Sequence, residues 1–166
     1  MREPALRLDF TLLALLALLA CATASAAALD FKPYGRGAFA KLREAHAGRP
    51  FVAHFWSVTC PPCVAELPEW AKIVARKQGL DVVFVNTDPS GDQARAAARL
   101  EKAGLGALIH YGFADDFADR LYFEVDPSWR GELPYTALVD AEGQLVTVTG
   151  ALDDPLIVER LDKTGR

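Results

Sequence analysis

The sequence predicts an α/β chain in which strands alternate with helices and a β-hairpin closes the sheet. Three observations carry this reading. Phe51 to Trp56 and Asp81 to Asn86 are compact apolar runs of strand length bounded by turn residues. Between them Val64, Leu67, Ala71 and Val74 recur at spacings of 3, 4 and 3, one face of a helix. Tyr135 to Val139 and Gln144 to Thr149 flank Asp140-Ala-Glu-Gly143, a four-residue hairpin connection. Parallel strands joined by helices and finished by an antiparallel pair make a central mixed sheet flanked by helices.

The elements follow in order. Residues 29–37 read as an extended leading segment, and Ala38 to Ala47 as a short helix ended by Gly48 and Pro50. Phe51 to Trp56 is a buried strand. The helix from Cys60 to Gln78 stops at Gly79, and Pro68 inside it clashes with the carbonyl of residue 64, which predicts a kink. Asp81 to Asn86 is the second buried strand. Ser90 and Gln93 have capping-box spacing ahead of an alanine-rich helix to about Ala103. Ala107 to Tyr111 reads as a short strand, Asp115 to Phe123 as a helix, and Asp126 to Glu132 as a loop. After the hairpin, Asp153 or Asp154 caps a last helix with Pro155 in its first turn.

The 166 residues suit one domain plus a targeting segment. A net charge of -4 with no basic stripe excludes a nucleic-acid footprint. Arg2 and Arg7 precede an apolar run from Phe10 to Ala20, and small residues follow through Ala28. That is the layout of a secretory signal peptide over residues 1–26, leaving 27–166 as the folded domain. The run is shorter than the roughly 20 apolar residues that span a bilayer. Leu18-Leu-Ala-Cys21 also resembles a lipoprotein-processing box, in which residues 1–20 are removed and Cys21 becomes a lipidated N-terminus. Either way the mature protein is extracytoplasmic, in the periplasm, and meets a membrane only through such an anchor.

Export changes the cysteine arithmetic. Only Cys60 and Cys63 remain in the folded body. They supply half of a structural zinc site and no disulfide scaffold, so in an oxidising compartment they are a redox candidate. Phe55-Trp-Ser-Val-Thr-Cys-Pro-Pro-Cys63 puts the pair at a strand-to-helix junction. The first cysteine then sits at the helix N-terminus, where unpaired amides and the dipole favour its thiolate. The second, one turn along, is close enough to close a disulfide. Pro61 and Pro62 stiffen the turn and remove amides. Cys60 is thus expected as the exposed attacking thiol and Cys63 as the buried resolving one.

From these residues the chain resembles the thioredoxin superfamily and, within it, the exported TlpA/ResA-like reductases. The resemblance covers about residues 45 to 160. Phe55-Trp56 resembles the family's strand end, and Cys60-x-x-Cys63-x-x-Glu66-x-Pro68 the exported subgroup's motif. Leu133-Pro134 resembles the family's cis-proline. The resemblance implies a thioredoxin-like fold, no cofactor or metal, and a substrate surface formed by Trp56, Pro61, Leu133 and Pro134. It gives Glu66, by default a solvated helix residue, a place in the active site. It further implies reduction of disulfides in exported proteins, in cytochrome c maturation or copper-centre assembly, with electrons from a membrane donor. The segment from about 104 to 130 is longer than in a minimal thioredoxin.

Two departures mark the chain. Thr59 stands where most thioredoxins have tryptophan, and His54 where many have a buried acid. His54 is therefore expected to be buried and to accept or relay the proton of Cys63, a packed core histidine being the bland alternative. Trp129 is a weaker candidate for the site's border, and His46 and His110 read as ordinary surface or loop histidines. The competing function is copper delivery by the two thiolates and a histidine. Against it, copper chaperones of this fold use a wider cysteine spacing and a distal histidine, and no histidine lies near Pro134. A binding module without turnover is the third reading, disfavoured by the intact cysteines.

Overall fold

The structure is a computed structural model and describes residues 29–77, 80–114, 117–153, 157 and 159–161. Its elements are β1 (Lys32–Tyr34), α1 (Ala38–Ala45), β2 (Phe51–Trp56), α2 (Pro61–Arg76), β3 (Asp81–Asn86), α3 (Gln93–Lys102), β4 (Ile109–Phe113), α4 (Ala118–Val125), β5 (Tyr135–Val139) and β6 (Leu145–Thr149). The strands form one sheet in the order β1-β4-β3-β2-β5-β6. β1, β4, β3 and β2 run parallel, and β5 and β6 are antiparallel additions beyond β2. This is the expected mixed sheet, with a thioredoxin-like arrangement of helices.

Period-two alternation explains how the central strand is buried on both faces. Phe51, Ala53 and Phe55 of β2 join a core with Phe39 and Leu42 of α1 and Leu121 and Val125 of α4. Val52 and Trp56 join the other core, with Cys63, Leu67 and Trp70 of α2 and Ala96 and Leu100 of α3. His54 alternates onto this second face. The buried stripe of α2 is Cys63, Glu66, Leu67 and Trp70. It lies one residue toward the N-terminus of the apolar stripe read from sequence, because Trp70 and Cys63 bury more deeply than Val64, Ala71 and Val74.

β2 and β3 have the expected bounds, and other elements moved for local reasons. The leading segment contributes a strand, β1, paired with β4. β4 begins two residues late because Leu105 and Leu108 amides are committed to turn bonds with the Leu100 and Leu105 carbonyls. α1 ends at Ala45, and α4 covers Ala118–Val125 rather than 115–123. The expected capping box does not form: Ser90–Asp92 is a 3₁₀ turn, and α3 has no side-chain cap. Gln93 instead lies over Gly112, where a Cβ would stand 2.6 Å from its Nε2. Gly79, Asp115, Asp154, Pro155 and everything through residue 28, including Cys21, lie outside the described residues. Among the described residues no helix is long and apolar enough to cross a membrane.

His110 requires the plainest correction. It is not at the surface but on β4, 2% exposed, between the rings of Phe84 and Phe31. Its Nε2–H donates to the Leu105 carbonyl at 2.9 Å. Burial lowers its pKa from the ordinary histidine value, only partly offset by that bond. The unfolded chain therefore binds a proton near pH 6.5 that the folded chain takes up only at lower pH. Stability from this group is complete above about pH 6.5 and is lost as pH falls, by at most about 1.4 kcal/mol per pH unit. His110→Gln keeps a donor for Leu105 and removes the titration. Its stability deficit in urea against the wild type should shrink from pH 7 to about pH 5.5; a constant deficit would exclude His110 as the titrating group.

Candidate active site

The site is built where the C-terminal end of β2 meets the N-terminus of α2. Cys60 is the N-cap of that helix. The first turn of any helix leaves amide donors without partners. Here Pro61 and Pro62 have none to offer, and the Cys63 amide donates to Cys60 Sγ at 3.2 Å. The Val64 amide closes the first regular turn on the Cys60 carbonyl at 3.1 Å. Cys60 and Cys63 form a disulfide with Cα atoms 5.3 Å apart. The two sulfurs differ in access: Cys60 is half-buried, and Cys63 is 0% exposed in the core.

Behind the disulfide lie two polar residues named from sequence. His54 and Glu66 are both buried, and His54 Nε2 stands 3.1 Å from Glu66 Oε1. These atoms face each other without hydrogen-bond alignment, and neither has another partner. The opposite atoms are anchored: His54 Nδ1 shares a 3.1 Å bond with Thr136 Oγ1, and Glu66 Oε2 accepts the Leu152 amide at 2.9 Å. Glu66 follows Cys63 by three residues on the inner face of α2, the separation at which helical side chains are neighbours. The imidazole and carboxylate thus join β2, β5, α2 and the segment after β6.

The Leu133–Pro134 peptide is cis, and the Pro134 carbonyl accepts the Gly150 amide at 3.0 Å. Pro61 is exposed and Leu133 half-buried. Trp56 is 0% exposed and packs under the motif, so it offers no surface to a client, contrary to its expected second role. Trp129 is also core: it stacks on Tyr135 with centroids 4.0 Å apart. His46 stays half-buried at the end of α1, against Phe51. Among the described residues no group of three His, Cys, Asp or Glu side chains is placed to hold a metal ion.

A clamp escaped the sequence reading. Asp88, just beyond β3 and 4% exposed, accepts from the Ser57 hydroxyl, from the Val58 amide at 2.7 Å and from Asn86 Nδ2 at 2.7 Å. Ser57 Oγ in turn accepts the Thr59 amide at 3.0 Å. The carboxylate therefore holds the three residues that deliver the chain to Cys60. An Asn-x-Asp pair at a strand end was its only trace in sequence.

A disulfide between cysteines at the head of a helix, in a thioredoxin-like fold, defines a thiol–disulfide oxidoreductase. Residues 23–156 match the redoxin family, and the chain belongs to that family. No curated protein matches it. Among solved structures it is similar to a secreted Mycobacterium tuberculosis disulfide oxidoreductase homologous to E. coli DsbE, with 20% identity over 72% of this chain and 85% of that one and a TM-score of 0.57. It is similar also to a thioredoxin-family thiol:disulfide interchange protein of Chlorobium tepidum, with 17% identity, 74% and 83% coverage and a TM-score of 0.55. StoA of Bacillus subtilis aligns at 22% identity over 69% and 83%, with a TM-score of 0.53. At these identities the likeness is one of fold.

Asp88→Ala removes the acceptor shared by the Ser57 hydroxyl, the half-buried Val58 amide and the buried Asn86 Nδ2. It should cost about 3 kcal/mol in urea unfolding, and Ser57→Ala about 1 kcal/mol. Losses within about 0.5 kcal/mol for both would mean that the clamp contributes nothing beyond ordinary surface contacts.

Proposed function

We propose that this protein is an exported TlpA/ResA-like reductase of disulfides in extracytoplasmic proteins. The observation that carries the exchange chemistry is the unequal access of the two sulfurs, with the accessible one at the helix N-terminus, and the family resemblance supplies the reductive direction. In the reduced protein the Cys60 thiolate attacks one sulfur of a client disulfide, forming a mixed disulfide and releasing one client thiolate. Cys63 gives up its proton and attacks Cys60 Sγ, which expels the second client thiolate and restores the Cys60–Cys63 disulfide. Two electrons pass to the client, and a membrane donor returns two to the protein. Pro61, Leu133 and Pro134 border the path of the client chain. The client is a disulfide between paired cysteines of an exported protein, in cytochrome c maturation or copper-centre assembly.

Glu66 and His54 receive the Cys63 proton. The 3.1 Å approach of His54 Nε2 to Glu66 Oε1, neither of them hydrogen-bonded, with Glu66 one turn along α2 from Cys63, supports this assignment. Cys60→Ser should abolish reduction of insulin, because the attacking sulfur is gone. Reduced Cys63→Ser should accumulate a mixed disulfide with an oxidised client, because nothing resolves it. His54→Ala should leave the first attack intact and slow resolution in rapid-quench measurements between pH 6 and about 8. Equal adduct formation by the two cysteine variants would overturn the roles assigned here.

Export rests on the N-terminal sequence, and the secreted M. tuberculosis neighbour is consistent with it. Mass spectrometry of the mature N-terminus distinguishes its two forms. An unmodified Ala27 marks cleavage after residue 26, and a diacylglyceryl Cys21 marks a lipid anchor; a retained Met1 in the native host would overturn export.

A further inference from the structure

We propose that Asp126 is a positioning residue that holds the Leu133–Pro134 loop in the geometry for client binding, an inference that rests on the reductase reading above. Asp126 ends α4, at the start of the loop that leads to Pro134. Its Oδ1 accepts the Ser128 amide at 2.7 Å and the Ser128 hydroxyl at 2.6 Å. Its Oδ2 accepts the Tyr135 hydroxyl at 2.9 Å and the Thr147 hydroxyl at 2.7 Å. Tyr135 is the residue directly after Pro134, and Thr147 lies on β6 opposite Ala137, two residues further along β5. One carboxylate thus ties the start of the loop to the strands that receive its end.

The other flank of the dipeptide is held by the same loop. The Trp129 amide donates to the Asp126 carbonyl at 3.0 Å, and its indole Nε1–H donates to the Glu132 carbonyl at 2.9 Å, next to Leu133. The Trp129 ring packs parallel to Tyr135 and edge-on to Phe55. Gly131 has a φ of +97°, and a Cβ there would stand 2.7 Å from the Tyr122 ring, so only glycine lets the loop close over that ring. Leu133 and Pro134 are therefore braced on both sides, by Glu132 through Trp129 and by Tyr135 through Asp126. The four donors hold the Asp126 carboxyl well below the usual carboxylate range, which agrees with a charged hub.

The Gly150 amide donates to the Pro134 carbonyl, so its exchange reports directly on this loop. Asp126→Asn removes the charge from the hub, and Tyr135→Phe removes its bond to β5 while keeping the one to Thr147. Both should accelerate hydrogen exchange at Gly150 about tenfold while leaving amides of β2 and β3 protected. Both should raise KM for insulin reduction roughly 5- to 10-fold with kcat little changed, and the double variant should be no worse than the worse single one. Asp126→Glu should recover part of the KM. Unchanged exchange at Gly150 in a folded Asp126→Asn variant overturns the brace. Faster exchange with unchanged KM overturns its role in client binding. A wild type that fails to reduce insulin while the exchange shift appears counts against the reductase reading and leaves the brace standing.

Discussion

Cys60 has to serve both as the cap of a helix and as an accessible sulfur, and the rest of the structure is arranged around that dual demand. A helix N-terminus needs acceptors, and two prolines at its first positions reduce the donors that must be met. What remains is the Cys63 amide, and it points at Cys60 Sγ. A thiolate at this position gains from the amide and from the helix dipole together. Such a gain depends on the chain entering the helix along one path. Asp88 imposes that path by accepting from Ser57 and Val58.

The second demand is that the partner sulfur be dry but not inert. Cys63 is buried because α2 turns its inner stripe onto the second face of β2, where Trp56 and Val52 await it. The same stripe carries Glu66, and the same strand face carries His54. Two periodicities, of two residues along the strand and about 3.6 along the helix, thus bring an acid and an imidazole together on the face that also buries Cys63. Burying such a pair is costly unless its remaining atoms are bonded. Thr136 and the Leu152 amide meet that condition at one end of each group, and the other ends face each other at 3.1 Å.

The loop from Asp126 to Glu132 shows how a longer connection is kept rigid without secondary structure. Its polar groups turn inward to one carboxylate, its tryptophan lies on the strand that follows, and its glycine clears an aromatic ring. The end of the connection between β4 and β5 is therefore bonded to the residues on both sides of Leu133 and Pro134. The redoxin core supplies the parallel sheet, and this segment couples α4 to the hairpin.

Patterns that repeat along the chain were legible in the sequence. β2, β3, α2 and the hairpin declare themselves by period and by turn residues, Cys60 and Cys63 by spacing within a motif, and Pro134 by its resemblance to the family's cis-proline. Even the burial of His54 follows from its apolar neighbours. Isolated polar residues were not legible, because their roles depend on what stands opposite them. Ser90 and Gln93 have the spacing of a capping box, but Gly112 leaves room for the Gln93 side chain and the box never forms. His110 also has apolar neighbours, but only the pairing of β4 with β3 puts it between the rings of Phe84 and Phe31. Asp88 and Asp126 are loop acids in the sequence and hubs in the structure. The sequence by itself determined the fold and the pair of sulfurs, since both are written in short-range periodicity and spacing. Only the tertiary structure decided which carboxylates hold the site, because hydrogen-bond partners come from segments far apart in the chain.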